Sequence, residues 1–408
     1  MLPKGWKKQA VEDCADLLTG NAFRSEDYVE AGESAVRLLR GDNIVQGSLR
    51  WDDAKHWATP YAEALQRYEM RAGDIVLAMD RPIVNAGLKC SVVRQQDLPS
   101  LLVQRVARLR AKKEFDQGYL AHVLQTHRFI EHLRGQKTET AVPHISPNDI
   151  REFEFPCPIN PDEQHRIDQI LSTWDQAIAA TERLLANSEK QKLGLMQGLL
   201  AGKHRLGGHT TGWQEHLLGK LFTERVEPNR DDLQLLSITR EQGVILRDDV
   251  GRKDTSNEDK SKYLRICPGD IGYNTMRMWQ GVSALSQYEG IISPAYTVIT
   301  PGALIDGKFA SYLFKSQSVV FLFYRHSQGL VSDTWNLKFS HFAKIKIKIP
   351  CIQEQRSIAE VLEKADQQIE VIQRQLLALR EEKAALMSQL LTGKRRVKVP
   401  DAEAEVQA

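Results

Sequence analysis

Long apolar runs are missing from this chain of 408 residues. No stretch approaches the roughly 20 apolar residues that a membrane-spanning helix needs. The N-terminal segment MLPKGWKKQA lacks the apolar core of a signal peptide. Cysteine is scarce as well: there are five, an odd number, and no CxxC pair. This usage argues against a disulfide framework and predicts a protein of the reducing cytoplasm with no membrane partner.

A strong charge of either sign is also absent. Lys and Arg together number 55 and Asp and Glu 53, for a formal net charge of +2. Such a balance does not mark the whole chain as a nucleic-acid binder, so any nucleic-acid site must rest on local patches. Hydrophobic residues make up 42% of the sequence, enough to bury cores in two to four domains.

The side-chain constellations of common active sites are lacking. His122, His127 and His132 recur every five residues, a spacing that fans them around a helix, so they cannot share a metal. The stretch 198–203 (GLLAGK) resembles the end of a phosphate loop, but it is one residue short and no strand precedes it. The sequence contains no Asn-Pro-Pro-aromatic tetrapeptide of the kind that adenine methyltransferases use, and no glycine-rich nucleotide-binding turn after a strand. We therefore expect no catalytic residues, no metal and no cofactor in this chain.

What the chain does contain is one long stretch that occurs twice. Residues 163–206 begin with EQHRIDQIL and end with LMQGLLAGKHRL, and residues 354–397 begin with EQRSIAEVL and end with LMSQLLTGKRRV. The two copies align without a gap at a constant offset (354 − 163 = 191). The repeat indicates an internal duplication, and the function must explain why two copies are needed.

Each copy carries apolar residues in alternating steps of four and three. A repeat of 3.5 residues keeps one stripe turned toward a partner helix, so each copy is expected to form a coiled coil, with the other copy as the nearest partner. The seam positions expected at the helix–helix and partner interface are Ile167, Leu171, Trp174, Ile178, Leu185, Leu195 and Leu199 in the first copy, and Ile358, Leu362, Ile369, Ile372, Leu376, Leu386 and Leu390 in the second.

Two features of the seam admit two interpretations. Lys192 and Lys383 share one seam position; their stems can pack while the ammonium groups reach water, which is the favoured account, or they can set the register. A second apolar row flanks the seam, and we expect helices of a partner subunit to cover it. The alternative is that this row packs on the chain's own globular parts. Its members are Ile170, Leu184, Met196, Leu200, Val361, Leu377, Met387 and Leu391.

Proline and glycine bound each repeated stretch. Pro158 and Pro350 precede the two copies, and Gly202 and Gly393 stand where a helix C-cap is needed. Each helix is therefore about 35–40 residues long, or about 50–60 Å at about 1.5 Å per residue. A helix of that length acts as a spacer between two parts.

The segments between the helices also repeat a common pattern. Gly73-Asp74-Ile75 and Gly269-Asp270-Ile271 each lead into an apolar run, and Asp116 and Asp306 each stand where a helix N-cap is expected. Residues 38–47 are predicted to form a strand, a turn and a second strand, with Gly41 and Gly47 as turn residues. Further strands are predicted over 101–109 and 295–299, and final strands over 145–155 and 337–349. In the last of these, three lysines alternate with isoleucines, and a solvated or edge-guarding face is the favoured interpretation: Lys344, Lys346 and Lys348.

We therefore predict an α+β fold: two α/β domains joined by two long antiparallel coiled-coil helices, with an internal pseudo-two-fold duplication. The predicted boundaries are a first globular domain over 1–158, a first helix region over 159–206, a second globular domain over 207–350, a second helix region over 351–397 and a disordered acidic tail over 398–408.

This pattern resembles the specificity subunit of type I restriction-modification systems. The resemblance covers nearly the whole chain and rests on the EQ…I…L…D…I openings, the LMQGLLAGKHRL and LMSQLLTGKRRV endings, the Gly-Asp-Ile turns and the stretch 276–296 (MRMWQGVSALSQYEGIISPAY). It implies a subunit without catalysis, in which each globular domain is a target-recognition domain that reads a few base pairs of double-stranded DNA. The two helices then fix the distance between the halves of a bipartite, asymmetric site.

The same resemblance implies further partners. Two methyltransferase subunits, which bind S-adenosylmethionine, would dock on the helices. Up to two nuclease and translocase subunits, which use ATP and Mg²⁺, would join that core. Two other classes of function stay open from the residues alone: a coiled-coil scaffold with protein-binding globular ends, and a nuclease with degenerate motifs.

Candidates for DNA contact are basic and amide-bearing loop positions. Arginine can fork onto guanine and glutamine onto adenine, whereas lysine and threonine more often hold phosphates. For each position the competing interpretation is a solvated surface residue. His144 and Trp279 could also contact DNA, and for these two the competing interpretation is core packing. The candidates are Arg81, Arg94, Arg134, Gln136, Lys137 and Thr138 in the first domain and Arg277, Gln280, Arg325, Gln328 and Lys338 in the second.

Overall fold

A computed structural model describes residues 2–84, 87–135, 144–239, 243–250, 259–330 and 334–398. The chain divides into two compact units. Unit 1 comprises Met1–Thr181 and Leu376–Ala408, and unit 2 comprises Glu182–Gln375. Each unit combines a set of strands and short helices with parts of both long helices, which confirms the α+β class and the internal duplication.

Unit 1 is built on a four-stranded antiparallel sheet of order β10-β7-β12-β2 and a three-stranded sheet of order β11-β3-β6. The strands are β1 (Trp6–Ala10), β2 (Ala15–Thr19), β3 (Ala35–Leu39), β4 (Ile44–Val45), β5 (Ser48–Leu49), β6 (Lys55–Ala58), β7 (Ile75–Ala78), β8 (Ile83–Val84), β9 (Gly87–Leu88), β10 (Cys90–Val92), β11 (Ser100–Leu102), β12 (Val106–Ala111) and β13 (Glu154–Pro158). The helices are α1 (Val11–Cys14), α2 (Gln117–Val123), α3 (His127–Gly135), α4 (Pro147–Arg151) and the long helix α5 (Pro161–Leu199).

Unit 2 repeats the four-stranded sheet with the order β15-β22-β19-β20. Its strands are β14 (Gln214–Leu217), β15 (Phe222–Arg225), β16 (Leu236–Thr239), β17 (Gly243–Leu246), β18 (Leu264–Ile266), β19 (Ile271–Asn274), β20 (Ser283–Leu285), β21 (Gly290–Ile292), β22 (Tyr296–Pro301) and β23 (Lys346–Ile349). Its helices are α6 (Leu218–Leu221), α7 (Gly307–Leu313), α8 (Gln317–His326), α9 (Phe339–Phe342) and the long helix α10 (Ile352–Leu390).

Four of the predicted strands have different bounds, and the one predicted over 295–299 is β22, Tyr296–Pro301. The predicted strand over 101–109 is two strands, β11 and β12, because the chain turns at Arg105, which has a positive φ of 63°. The predicted final strands over 145–155 and 337–349 begin with the short helices α4 and α9 and are extended only over β13 and β23. At α4 the sequence signal is a capping box, since the Ser146 hydroxyl accepts from Asp149 N and the Asp149 carboxylate accepts from Ser146 N.

The repeated Gly-Asp turns hold the sheets together rather than facing solvent. Gly73 and Gly269 have φ values of 92° and 91°, which favour glycine. The buried Asp74 accepts from Arg71 N at 2.7 Å and pairs with Arg110, with Nε and Oδ1 2.5 Å apart. Asp270 makes the same turn in unit 2, but there its arginine comes from β15, with Arg225 Nε 2.7 Å from Oδ2.

The repeated Glu-Gln dipeptides fasten each long helix to its own unit. The Gln164 side chain accepts from Asp116 N at 3.0 Å and donates to Pro158 O at 2.9 Å. The Gln355 side chain likewise accepts from Asp306 N at 2.9 Å and donates to Pro350 O at 2.9 Å. Asp116 and Asp306 are the helix N-caps that the sequence predicts, accepting from Tyr119 N and Phe309 N.

The long helices α5 and α10 each span 39 residues, as the repeat predicts, and run antiparallel within each unit. The two seam lysines each form an ion pair with the other helix. Lys383 Nζ lies 2.5 Å from Asp175 Oδ1 in unit 1, and Lys192 pairs with Asp366 in unit 2. Lys383 is only 8% exposed, which contradicts the expectation that its ammonium group reaches water and favours the register-setting alternative for it. The Lys192 side chain is 25% exposed, which agrees with the expectation of a packed stem and partial access to water.

The seam residues are buried most deeply where the helices meet the domain cores. Ile167, Leu171 and Leu390 belong to the core of unit 1, and Leu199, Ile358 and Leu362 to that of unit 2. Ile372 and Leu376 are buried as well. The remaining seam residues are half-buried: Trp174, Ile178, Leu185, Leu195, Ile369 and Leu386.

The flanking apolar row packs mainly on the chain itself. Leu200 and Leu391 are buried, and four further members pack against the two cores: Ile170, Met196, Val361 and Met387. Leu184 and Leu377 are 48% and 57% exposed. The expectation of a partner along the whole row is therefore corrected, and only its middle positions are open to one.

The lysine face of β23 agrees with its favoured interpretation. Lys344, Lys346 and Lys348 are exposed and Ile345, Ile347 and Ile349 are buried, while β23 pairs with β14 in a two-stranded sheet. Among the described residues, no helix combines the length and the apolar character that a bilayer crossing requires.

Candidate nucleic-acid interface

In unit 1 the chain that follows residues 136–143 returns to the end of strand β7. Ile145 N donates to Met79 O at 2.9 Å, which brings His144 next to Asp80. Asp80 Oδ1 lies 2.7 Å from His144 Nδ1, and Asp80 Oδ2 lies 2.7 Å from Arg105 Nη1. Arg81 follows directly, exposed and with a positive φ of 44°. His144 is exposed and in a polar contact, so core packing does not describe it.

Unit 2 builds the same junction at the end of strand β19. Leu337 N donates to Thr275 O at 2.8 Å. Arg277 lies two residues beyond Thr275, as Arg81 lies two residues beyond Met79, and both arginines are exposed. Lys338 follows Leu337 and is exposed too. Arg81 and Arg277 therefore occupy matching positions in the two units.

Helices α3 and α8 carry further candidates. Arg134 is exposed near the end of α3, with its Nη1 2.9 Å from Glu131 Oε1. Arg325 is exposed near the end of α8. Just after α8, Gln328 and Asn336 exchange two backbone hydrogen bonds, at 2.9 and 2.8 Å, which joins the end of α8 to the segment of Lys338.

Some predicted positions do not join this group. Arg94 caps a short 3-10 turn in which its N donates to Asp97 Oδ2 at 2.8 Å. Because Val92 pairs with Ile75, Arg94 lies at the opposite end of β7 from Arg81. Gln280, by contrast, lies near the group, since it is exposed on the 3-10 turn Met278–Gln280 that directly follows Arg277. Gln136, Lys137 and Thr138 lie outside the described residues.

Unit 2 contains a set of aromatic side chains of which only Trp279, half-buried and outside the core, was named from the sequence. The ring centroids of Trp279 and Trp335 are 5.4 Å apart, those of Trp335 and Tyr324 5.0 Å, and those of Tyr324 and Phe321 6.2 Å. These four residues, called the aromatic cluster below, connect the loop of Arg277, helix α8 and the segment of Lys338. The available signal was the spacing of Phe321 and Tyr324, which puts both on one face of α8.

The two junctions differ in their electrostatics. Burial opposes ionisation of Asp80, but hydrogen bonds from His144 and Arg105 outweigh it and hold the pKa of Asp80 below its usual value. The junction of unit 1 therefore contains a fixed negative charge beside Arg81 and Arg105. In unit 2 the described stretches 274–282, 317–330 and 334–338 carry Arg277, Arg325, His326 and Lys338 and no acidic residue.

Among the described residues, two groups of side chains bring ligand atoms within 4.8 Å of one another: His209, Cys351 and Glu354, and Asp116, His165 and Asp168. Glu354 already pairs with Arg205, and the second group has a structural explanation as well. His165 Nδ1 is 3.0 Å from Asp116 Oδ2, and Asp168 Oδ1 is 3.1 Å from His122 Nε2. In unit 2 Arg356 replaces His165 and lies 3.8 Å from the matching cap, Asp306. Because a cationic side chain, and not a metal ligand, occupies the matching position in unit 2, we infer that His165 connects the long helix to the domain.

Comparisons with known proteins agree with this architecture. The family model of the type I restriction modification DNA specificity domain matches residues 3–189 and 246–381. The type I restriction enzyme EcoAI specificity subunit of Escherichia coli is 34% identical over 184 residues, which are 45% of this chain and 30% of that protein. The type I restriction enzyme MjaVIII specificity subunit of Methanocaldococcus jannaschii is 28% identical over 206 residues, which are 50% of this chain and 48% of that protein. The chain thus spans less than half the length of these relatives.

Solved structures share the fold over nearly the whole chain. The crystal structure of the type I restriction-modification S subunit from M. genitalium aligns with a TM-score of 0.60 at 15% identity, covering 96% of this chain and 99% of that one. A chain from a structure of type I R-M complex assembly aligns with a TM-score of 0.56 at 17% identity, covering 97% of this chain and 100% of that one. At these identities the likeness establishes the fold.

Proposed function

The chain belongs to the type I restriction modification DNA specificity family, and from that premise we propose that it is the non-catalytic DNA-recognition subunit of a type I restriction-modification complex. In this proposal residues 1–158 and 207–350 are two target-recognition domains, and each reads one half of a bipartite, asymmetric site in double-stranded DNA.

The observation that carries the proposal is the pair of matched junctions. Arg81 and Arg277 stand exposed at the same place in two repeats of one fold. The residues around them differ: Asp80, His144 and Arg105 in unit 1, and the aromatic cluster in unit 2. A protein that reads two different half-sequences requires such a constant frame with variable contacts, because phosphate contacts position the domain and base contacts specify the sequence.

The long helices account for a fixed gap between the half-sites. At about 1.5 Å per residue, 39 residues extend roughly 58 Å. Two half-sites one helical turn apart are separated by roughly 34 Å, within that length. The ion pairs Lys383–Asp175 and Lys192–Asp366 support a spacer of fixed register, since any slip of one helix along the other would separate both pairs.

The remaining partners follow from the same proposal. Two methyltransferase subunits, with S-adenosylmethionine, would dock on the exposed middle of the helices, and up to two nuclease and translocase subunits, with ATP and Mg²⁺, would join them in the cytoplasm. Large apolar side chains lie exposed on the helices of each unit and support docking there: Leu184, Leu193 and Val371 in unit 2 and Leu377 in unit 1. Burying them would remove apolar area from water.

Selection from a randomised duplex library tests the recognition role. The full chain, purified with its methyltransferase subunit, is expected to enrich one bipartite sequence, and Arg81→Ala and Arg277→Ala are expected to relax different halves of it. Enrichment of no sequence, with both variants indistinguishable from wild type, would favour the coiled-coil scaffold. Cleavage of DNA by the chain alone with Mg²⁺ would favour a nuclease.

A further inference from the structure

The aromatic cluster of unit 2 includes apolar side chains that are exposed instead of packed in the domain core. Phe321 is 56% exposed and Tyr324 is 44% exposed, although both rings are large and lie on one face of α8. Trp335 makes an edge-to-face contact with the Tyr324 ring, and Trp279 makes one with Trp335. Contiguous apolar surface of this kind marks a binding site more often than chance exposure does.

The surroundings of the cluster select the class of ligand. The described stretches that carry it contain Arg277, Arg325 and Lys338, all exposed, and no acidic side chain. Gln280 and Gln328 are exposed in the same stretches. Exposed aromatic rings with cationic and amide side chains in the same stretches suit double-stranded DNA as the ligand. DNA has negatively charged phosphates, and its major groove presents both hydrogen-bonding groups and methyl groups.

Unit 1 shows why the occupant is DNA rather than a partner subunit. Helices α3 and α8 align at one offset (323 − 133 = 190), with Leu133 and Phe323 both fully buried. At that offset Glu131 and Arg134 take the places of Phe321 and Tyr324, and they form an ion pair. A partner that docks equally on both repeats would require the same surface in each. The two different halves of an asymmetric DNA site do not require the same surface in each unit.

We propose that Phe321 and Tyr324 contact the 5-methyl group of thymine in the half-site bound by unit 2. Thymine alone among the bases presents a methyl group in the major groove, and apolar side chains recognise it by excluding water. Arg277, Arg325 and Lys338 then hold the adjoining phosphates or guanines. This inference rests on the proposed function, and it assigns specificity-determining residues to one of the two domains.

Deoxyuridine scanning tests the contact. The full chain with its methyltransferase subunit is titrated against its selected duplex, in which each thymine is replaced in turn by deoxyuridine, which lacks only the methyl group. Wild-type affinity is expected to fall roughly fourfold at each contacted position, the effect of one buried methyl group. Phe321→Ala and Tyr324→Ala should bind more weakly and lose that sensitivity, whereas Phe321→Leu should keep most of it.

Tyr288→Ala serves as the matched control, because Tyr288 is 48% exposed in unit 2 and outside the cluster; its affinity and methyl sensitivity should equal those of wild type. Sequence-specific binding that is unchanged in Phe321→Ala and Tyr324→Ala, or that is equally methyl-sensitive in them, overturns this inference and leaves the recognition role intact. Absence of specific binding by wild type overturns both.

Discussion

Arg396 Nε lies 2.6 Å from Glu163 Oε1, and Arg396 Nη2 lies 2.8 Å from Glu163 Oε2, so the segment after the second long helix is joined to the start of the first. Arg205 makes the same bidentate pair with Glu354 in unit 2, at 2.5 and 2.7 Å. Arg396 also donates to Lys4 O at 2.7 Å and Arg205 to Thr211 O at 2.8 Å. In each unit the repeated Glu and Arg thus join the start of one long helix to the segment that follows the other.

Arg396→Ala is expected to destabilise unit 1. The substitution leaves Glu163, which is 3% exposed, without its cation, and a buried carboxylate that loses its partner is costly. The midpoint of thermal unfolding should fall by roughly 2–4 °C. Lys394→Ala is the control, since Lys394 is exposed on the same segment. Equal melting of both variants and wild type would show that the pair contributes nothing.

Reversing the seam pair of unit 1 tests the register-setting role. Lys383→Asp places a second carboxylate beside Asp175 and should lower the free energy of unfolding by about 2–4 kcal/mol. Adding Asp175→Lys should recover at least half of that loss, because the pair forms again in the opposite sense. Urea unfolding of the single and double variants measures the coupling. A double variant no more stable than the single one would contradict the assignment.

The helices and their caps were predictable because their signals are local. Each cap, each Gly-Asp turn and each seam step lies within a few residues of its partner in sequence, as for Asp116 and Tyr119. The partner of Lys383, by contrast, is Asp175, more than 200 positions away. No sequence pattern pairs the two, and solvent exposure of the ammonium group was the reasonable expectation.

The DNA interface was predictable only in part for the same reason. Arg81 and Arg277 stand out as loop cations after a strand, but the aromatic cluster draws its rings from positions 279, 321, 324 and 335, which the fold brings together. Arg94 shows the converse: it is a loop cation like Arg81, yet the antiparallel pairing of β10 with β7 puts it at the other end of the strand.

Asp168 is expected to make unit 1 sensitive to acid. Burial opposes its ionisation, but hydrogen bonds from His122 and Ser172 outweigh burial and hold the pKa of Asp168 below its usual value. A carboxyl group whose folded pKa is lowered stabilises the fold above its unfolded pKa of about 3.9, and this stability is lost as pH falls through the folded pKa.

Asp168→Asn should therefore lower the free energy of unfolding by roughly 1–2 kcal/mol at pH 7, and the difference from wild type should shrink below about pH 4. Urea unfolding between pH 3 and pH 7 gives the comparison. Unit 2 has Ala359 at the matching position, so the effect is expected to arise in unit 1 alone. A difference that stays constant across this range would show that Asp168 acts through packing rather than charge.

Lengthening both helices together tests the spacer. Four residues are inserted between Asp175 and Lys192 and four between Asp366 and Lys383, which keeps both ion pairs able to form. The added turn, about 6 Å, should change the gap between the half-sites and leave both half-sequences as they were. Selected duplexes from the randomised library report both. A changed half-sequence with an unchanged gap would refute the spacer role.

Adenine-methylation mapping tests the central claim most directly. DNA is sequenced with detection of methylated adenine from cells that co-express this chain and its methyltransferase subunit, with cells that carry the methyltransferase subunit alone as the control. The account predicts methylation at one bipartite, asymmetric motif with a fixed gap, absent from the control. Methylation that is the same with and without the chain would contradict the account, as would failure of the chain to bind the methyltransferase subunit together with absence of methylation.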